Sequence, residues 1–345
     1  MIIRKNYSLK NVLQFTGGHL VWLTVWASAA VCIYHFGQFR WLSIPWLPLS
    51  VVGTAVAFYV GFKNNSAYDR MWEARKIWGA ITNSSRAWGS YTRSFVSNQF
   101  ASTKESSDGL KAIHQRLIYR HIAWLYTLRD QLLVPQPWEH INQKGHIGNK
   151  AQVYISNFGV GLVRDEVNNI NVSDFLSEEE SERISHFTNP AAQLIDFQSQ
   201  DLQKLRERDL IEDFRHMELQ RILADFYIHQ GMVERIKKFP LPRQYGNMSF
   251  IFIGIFIFLL PFGMISEFTK LGDYGIWLTI PFTILVGWIY VVMELVGDYT
   301  ENPFQGMSND IPMLSICRNI EIDLREMLGE TNVPKPILAK DGILM

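Results

Sequence analysis

Four stretches without Lys, Arg, Asp or Glu constrain this chain of 345 residues more than any other feature: 20–36, 44–62, 249–266 and 274–293. A helix rises about 1.5 Å per residue, so each run is about long enough to cross a hydrocarbon core of roughly 30 Å. A buried helix of a large soluble core normally keeps a polar stripe, yet IFIGIFIFLL at 251–260 is apolar on both faces. The runs therefore predict four transmembrane helices. The first run begins near residue 20 and no small-residue cleavage site closes it before the next, so the N-terminal segment is expected to be retained.

Charge placement predicts the orientation of these helices. No Asp or Glu occurs between residues 1 and 68, where the basic residues are Arg4, Lys5, Lys10, Arg40 and Lys63. Basic residues gather before the first run (Arg4, Lys5, Lys10), after the second (Lys63, Arg70, Arg75, Lys76) and before the third (Arg235, Lys237, Lys238, Arg243). The short connections hold only Arg40 and Lys270. By the excess of positive charge on cytoplasmic loops, both termini and the middle of the chain are expected in the cytoplasm.

The expected organisation is a cytoplasmic N-terminal segment (1–19), a first transmembrane hairpin (20–62), a cytoplasmic helical domain (63–248), a second hairpin (249–297) and a cytoplasmic C-terminal segment (298–345). Amphipathic runs at 114–133 and 202–239 make the middle segment a helical bundle. Breaks are expected at 97–109, 134–150 and 173–185, where turn formers mix with charge. Pro303, Pro312, Pro334 and Pro336 mark the tail, with one helix near 312–328.

Composition removes several function classes. Lys plus Arg (33) equals Asp plus Glu (33), so no global field favours nucleic acid. Cys32 and Cys317 stand far apart without a CxxC or CxxH neighbour, which argues against a disulfide framework or a thiolate zinc site. His114 with His121 and His216 with His229 are the nearest histidine pairs in helical segments, but separations of 7 and 13 do not match the ligand spacing of a helix-borne metal site. Nucleophile-elbow, Walker, dinucleotide and zincin motifs are all missing. The chain is expected to be no enzyme and to need no cofactor.

The second run carries two stripes at helical spacing. Gly53, Ala57 and Gly61 recur at i+4 and form the small surface on which membrane helices approach closely. Beside them Thr54, Phe58 and Phe62 align a hydroxyl and two rings, ending where Lys63, Asn64, Asn65 and Ser66 begin the polar region. On a lone subunit such a stripe faces lipid or a partner. Around the axis of a cyclic oligomer it makes a hydrophobic constriction that gates by dewetting.

The continuation GFKNNSAYDRMWEARKIWG (61–79), together with ENPFQGMSNDIPM (301–313), resembles the bestrophin family of ion channels, in its bacterial branch. The layout of two hairpins around a long helical insert agrees, so the resemblance covers nearly the whole chain. It implies an all-α membrane protein assembled as a homopentamer around a central pore in the bacterial inner membrane, with lipid and permeating ions as its other partners. It also implies a pore neck at Thr54, Phe58 and Phe62. Threonine replaces the aliphatic residue common at the outermost position, which makes that ring easier to wet.

A second, cytoplasmic aperture is expected near DLIEDFRHM (209–217), with Ile211, Phe214 and Met217 as candidates at i+3. Animal members carry an acidic calcium cluster after NPF, whereas Gln305 to Asp310 holds a single carboxylate here. Calcium takes six to eight oxygens and several carboxylates, so no calcium gating is expected. Glu294, Asp298 and Glu301 share one face at the end of the fourth run, either paired with Arg70 or Arg75 or forming a cation-attracting ring. The resemblance to bacterial members implies passage of monovalent cations. An anion channel of the same fold and a non-conducting membrane scaffold are the alternatives.

Overall fold

The structure, a computed structural model, describes residues 1–6, 9–144, 148–149, 151–153, 170–272, 274–340 and 342–345. Its principal helices are α1 (Leu9–Gly37), α2 (Trp46–Phe95), α3 (Ser107–Leu133), α4 (Glu178–Ser185), α5 (Pro190–Glu207), α6 (Asp213–Lys238), α7 (Arg243–Phe268), α8 (Thr279–Asp298) and α9 (Met313–Met327). Among the described residues β-pairing is limited to isolated bridges, Ile2 with Ile343 and Lys340 with Ile343. Four helical segments there are long and apolar enough to cross a membrane.

Two compact units divide the chain. One comprises Arg4–Arg70 and Pro240–Asn302, and the other Met1–Ile3, Met71–Phe239 and Pro303–Met345. The division at Arg70 falls past the uncharged run that ends at 62, because α2 continues unbroken beyond its apolar residues. Helix α2 is the extreme case: its 50 residues span roughly 75 Å at 1.5 Å each, more than twice a hydrocarbon core.

In the first unit α1 and α7 both pack along α8. Leu23, Val56, Val60, Phe256, Leu260 and Val291 meet in its interior. Outward-facing Phe250, Ile251, Ile255 and Phe258 on α7, with Leu285 and Ile289 on α8, stay exposed. Apolar exposure on this scale suits lipid or a second copy rather than water.

In the second unit α3 is central, packed by α5, α6 and α9. The sequence LIYRHIAWLYTLR explains this position, since buried residues occur on every side of α3 from Leu117 to Arg129. Trp78, Trp88, Trp124 and Phe226 fill the interior around it.

Local signals set the helix ends. Ser106 caps α3 by accepting from Gly109 N at 2.9 Å, and Asn189 caps α5 by accepting from Ala192 N at 3.2 Å, with Pro190 at the first turn. The break expected over 173–185 is a helix from Glu178: Ser177 accepts from Glu180 N at 3.2 Å, and three glutamates in the first turn complement the helix dipole. The amphipathic run 202–239 is divided at 208–212, where Asp209 takes φ 55°. Part of the expected break at 134–150 lies outside the described residues.

Candidate functional site

Helix α2 has two opposed faces within the first unit. Gly53, Val56, Val60, Lys63 and Ala67 are all buried, at the three- and four-residue spacing of a packing seam. On the other side Thr54, Phe58 and Phe62 are exposed, the two rings by 68% and 65%. Thr54 Oγ1 donates to Ser50 O at 2.9 Å, which occupies its proton and leaves its lone pairs outward. Asn65, Ser66 and Asp69 carry the exposed face onward, with Asn65 Nδ2 donating to Asp69 Oδ2 at 3.3 Å. Asp69 lies seven residues past Phe62 and is the first charge on that face.

The small-residue stripe is used at one end only. A Cβ at Gly53 meets the Phe256 ring at 2.8 Å, and Tyr290 OH donates to Gly53 O at 2.9 Å. Ala57 is half-buried, and a Cβ at Gly61 meets no side chain or neighbouring helix within 4 Å.

Lys63 is the one charged residue of the buried seam, and its ammonium pairs with Glu294 of α8. Ser249 Oγ of α7 donates to the same Glu294 oxygen at 2.8 Å, and Asn64 Nδ2 donates to Met293 O at 2.9 Å. Glu294 Oε2 is buried without a hydrogen-bond partner among the described residues. Glu301, also buried, lies 3.4 Å from Arg243 and accepts from Asn302. Asp298 is half-buried. Glu294 thus pairs with Lys63 and Glu301 with Arg243, two partners not named from sequence. By sequence Lys63 counts among the basic residues that begin the polar region, so its inward turn and its pairing with a carboxylate distant in sequence go unread there.

The aperture candidates separate cleanly within the second unit. Helix α6 starts at Asp213, so Ile211 belongs to the preceding turn, where it is 1% exposed in the hydrophobic interior. This corrects its placement beside Phe214 and Met217, which lie on α6 and are 77% and 69% exposed. The positive φ at Asp209 ends the helical register before Ile211 is reached.

The segment after NPF is internally satisfied. Asp310 Oδ2 accepts from the backbone N–H groups of Gln305, Gly306 and Met307 at 2.7, 2.8 and 3.1 Å. Burial pushes its carboxyl up to about 7 against the lowering effect of those donors. His140 Nδ1 lies 3.0 Å from Gln305 Oε1, which fixes the same turn. One inward carboxylate with an oxygen already taken does not make the shell that calcium needs. Three of the described histidines are engaged by the fold: His121 is buried, held 2.9 Å from Ser85 Oγ, stacked on Trp124, and pushed down to about 3 by burial. His114 Nε2 lies 2.9 Å from Val96 O and His229 Nε2 3.3 Å from Ser84 Oγ.

Comparison with known proteins agrees with this architecture. The voltage-dependent anion channel-forming protein YneE of Escherichia coli K12 is 25% identical over 291 residues, which is 84% of this chain and 79% of that protein. The voltage-dependent anion channel-forming protein mll4386 of Mesorhizobium japonicum is 26% identical over 283 residues, 82% of this chain and 75% of that one. The crystal structure of a bacterial bestrophin homolog from Klebsiella pneumoniae superposes with a TM-score of 0.71 at 20% identity, covering 90% of this chain and 97% of that one. The sequence profile described as Bacterial/Fungal Bestrophin protein matches residues 18–326, and the chain belongs to that family.

Proposed function

We propose that this protein is a homopentameric ion channel of the bacterial inner membrane, with both termini cytoplasmic, that passes monovalent cations and catalyses no reaction. The observation that carries the reading is the exposed face of α2. Thr54, Phe58 and Phe62 stand outward on a helix whose opposite face is fully packed, and Asp69 follows on the same line. Repeated around an axis, the two phenylalanines form a neck whose dewetting resists ion passage, and Thr54 gives its outer rim a hydroxyl that holds water. Asp69 then supplies a ring of carboxylates, which concentrates cations and repels anions. Phe214 and Met217, exposed at the start of α6, are our candidates for a second constriction. Of the two roles open to Glu294 and Glu301 from sequence, their pairs with Lys63 and Arg243 support the structural one, and we assign the acidic ring to Asp69.

A second reading, anion conduction, draws on the names of the two relatives, both voltage-dependent anion channel-forming proteins. The two readings separate in a reversal potential. Protein reconstituted in planar bilayers under a KCl gradient is expected to reverse near the potassium equilibrium potential, and Asp69→Asn to shift that value toward zero. Reversal near the chloride potential overturns the cation reading, and absence of current from intact pentamers overturns the channel.

A further inference from the structure

We infer that the Lys63–Glu294 pair is a positioning device for the pore: it holds α2 at the rotation that presents Phe62 to the axis. The inference rests on the pore reading above. Four observations lead to it. Lys63 follows Phe62 directly, and neighbouring residues on a helix are about 100° apart, so any rotation that frees Lys63 moves Phe62 by the same angle. Nearest the pair, the seam residues Val56, Val60 and Ala67 are aliphatic and carry no side-chain polar group to fix one rotation, while Gly53, at the far end of the seam, is separately tied to α8 by Tyr290. A buried ammonium does fix one rotation, because leaving its carboxylate strands both charges in an apolar interior. Glu294 is itself held by Ser249 Oγ at 2.8 Å, so α2, α7 and α8 all meet at this one carboxylate.

Packing around the pair leaves little slack. A Cβ on Gly297, one turn beyond Glu294 on α8, falls 2.0 Å from Asn64 Oδ1, so α2 and α8 are in close approach immediately beside the charges. Asn64 Nδ2 in turn donates to Met293 O, which ties the residue after Lys63 to the residue before Glu294. At the Phe62 end of the seam the register between the two helices is therefore specified by two consecutive polar residues on α2. This is the use of buried polar groups that is best attested: they add little net stability and select one arrangement over its neighbours.

The test pairs currents with side-chain accessibility in the full-length protein in liposomes, starting from a Cys32→Ser background, since Cys32 is exposed and Cys317 is buried. Phe62→Cys and Val60→Cys report the lumen-facing and packed sides of α2 through their reaction with a water-soluble thiol reagent. With the pair intact, position 62 reacts and position 60 does not. Lys63→Met and Glu294→Gln are each expected to lower the labelling rate at 62 and to change unitary current by about threefold, a hydrophobic constriction being sensitive to ring radius. The charge reversal Lys63→Glu with Glu294→Lys is expected to restore both readouts while oligomeric mass stays unchanged. Unchanged labelling and current in pentameric Lys63→Met, or a charge reversal that restores neither, overturn the inference alone. No labelling at 62 in the parent overturns the pore reading and the positioning role with it.

Discussion

The ammonium of Lys237 is shared between the Glu139 carboxylate at 2.5 Å and the Phe304 carbonyl at 3.2 Å, all three buried in the same unit. This one contact ties the last turn of α6 to the 134–142 connection and to the NPF segment. Removing it strands a buried carboxylate whose proton affinity burial already raises. Lys237→Met is expected to cost about 3–5 kcal/mol, and Lys237→Met with Glu139→Leu distinctly less, because the double variant leaves no orphaned charge. Thermal melts of the two variants in detergent check this.

The neck assignment predicts that Phe58→Ala combined with Phe62→Ala raises unitary conductance or removes gating, as the dewetted length shortens. Thr54→Leu acts in the opposite sense, lowering conductance by drying the outer rim. Single-channel recording on confirmed pentamers reads both, and unchanged currents in the double alanine variant rule the neck out.

The separation of Ile211 from Phe214 and Met217 makes opposite expectations for stability and current. Ile211→Ala removes a buried side chain and is expected to cost about 2–5 kcal/mol with little change in conductance. Phe214→Ala and Met217→Ala remove exposed side chains, so melts stay within about 0.5 kcal/mol of the parent while currents change. A current phenotype at Ile211 alone refutes the assignment.

Two buried groups give the protein a pH response of opposite signs. Asp310 has its carboxyl raised from 3.8 to about 7, so the folded state holds a proton that the unfolded chain has released, and stability falls as pH rises across that window. His121 is depressed from 6.5 to about 3, so its neutral form contributes stability that is lost as pH falls through the same region. Raw melting curves mix the two, so the informative quantity is the difference between parent and variant. Asp310→Asn is expected to gain stability relative to the parent as pH rises from about 4 to 7, and His121→Phe as pH falls from about 6.5 to 3. Parallel curves for parent and variant exclude the assignment.

Glycines on α2 provide a packing test. Gly53→Ala forces a Cβ to 2.8 Å from the buried Phe256 ring and is expected to destabilise by about 1–3 kcal/mol. Gly61→Ala meets nothing within 4 Å and is expected to be neutral or to stabilise its helix by up to about 1 kcal/mol. Melts of the two alanine variants compared side by side decide it.

Much of this molecule was legible in its sequence for a simple reason: lipid-length apolar runs and helical periodicity are local properties. Four uncharged runs marked the membrane segments, and the i+4 spacing of Thr54, Phe58 and Phe62 put them on one face of one helix. The motifs at 61–79 and 301–313, with the layout of two hairpins around a helical insert, pointed to the family. Which face of α2 packs inward was a different matter. Lys63, charged and next to the polar boundary, reads as a rim residue in any local pattern, yet it is buried against a carboxylate 231 positions away. Ile211 shares a helical spacing with Phe214 and Met217, but a single residue at positive φ breaks the register and sends it into the core. Partners distant in sequence and turns that reset helical phase are decided only when the chain is packed, since the free energy that selects them comes from contacts absent in any isolated segment.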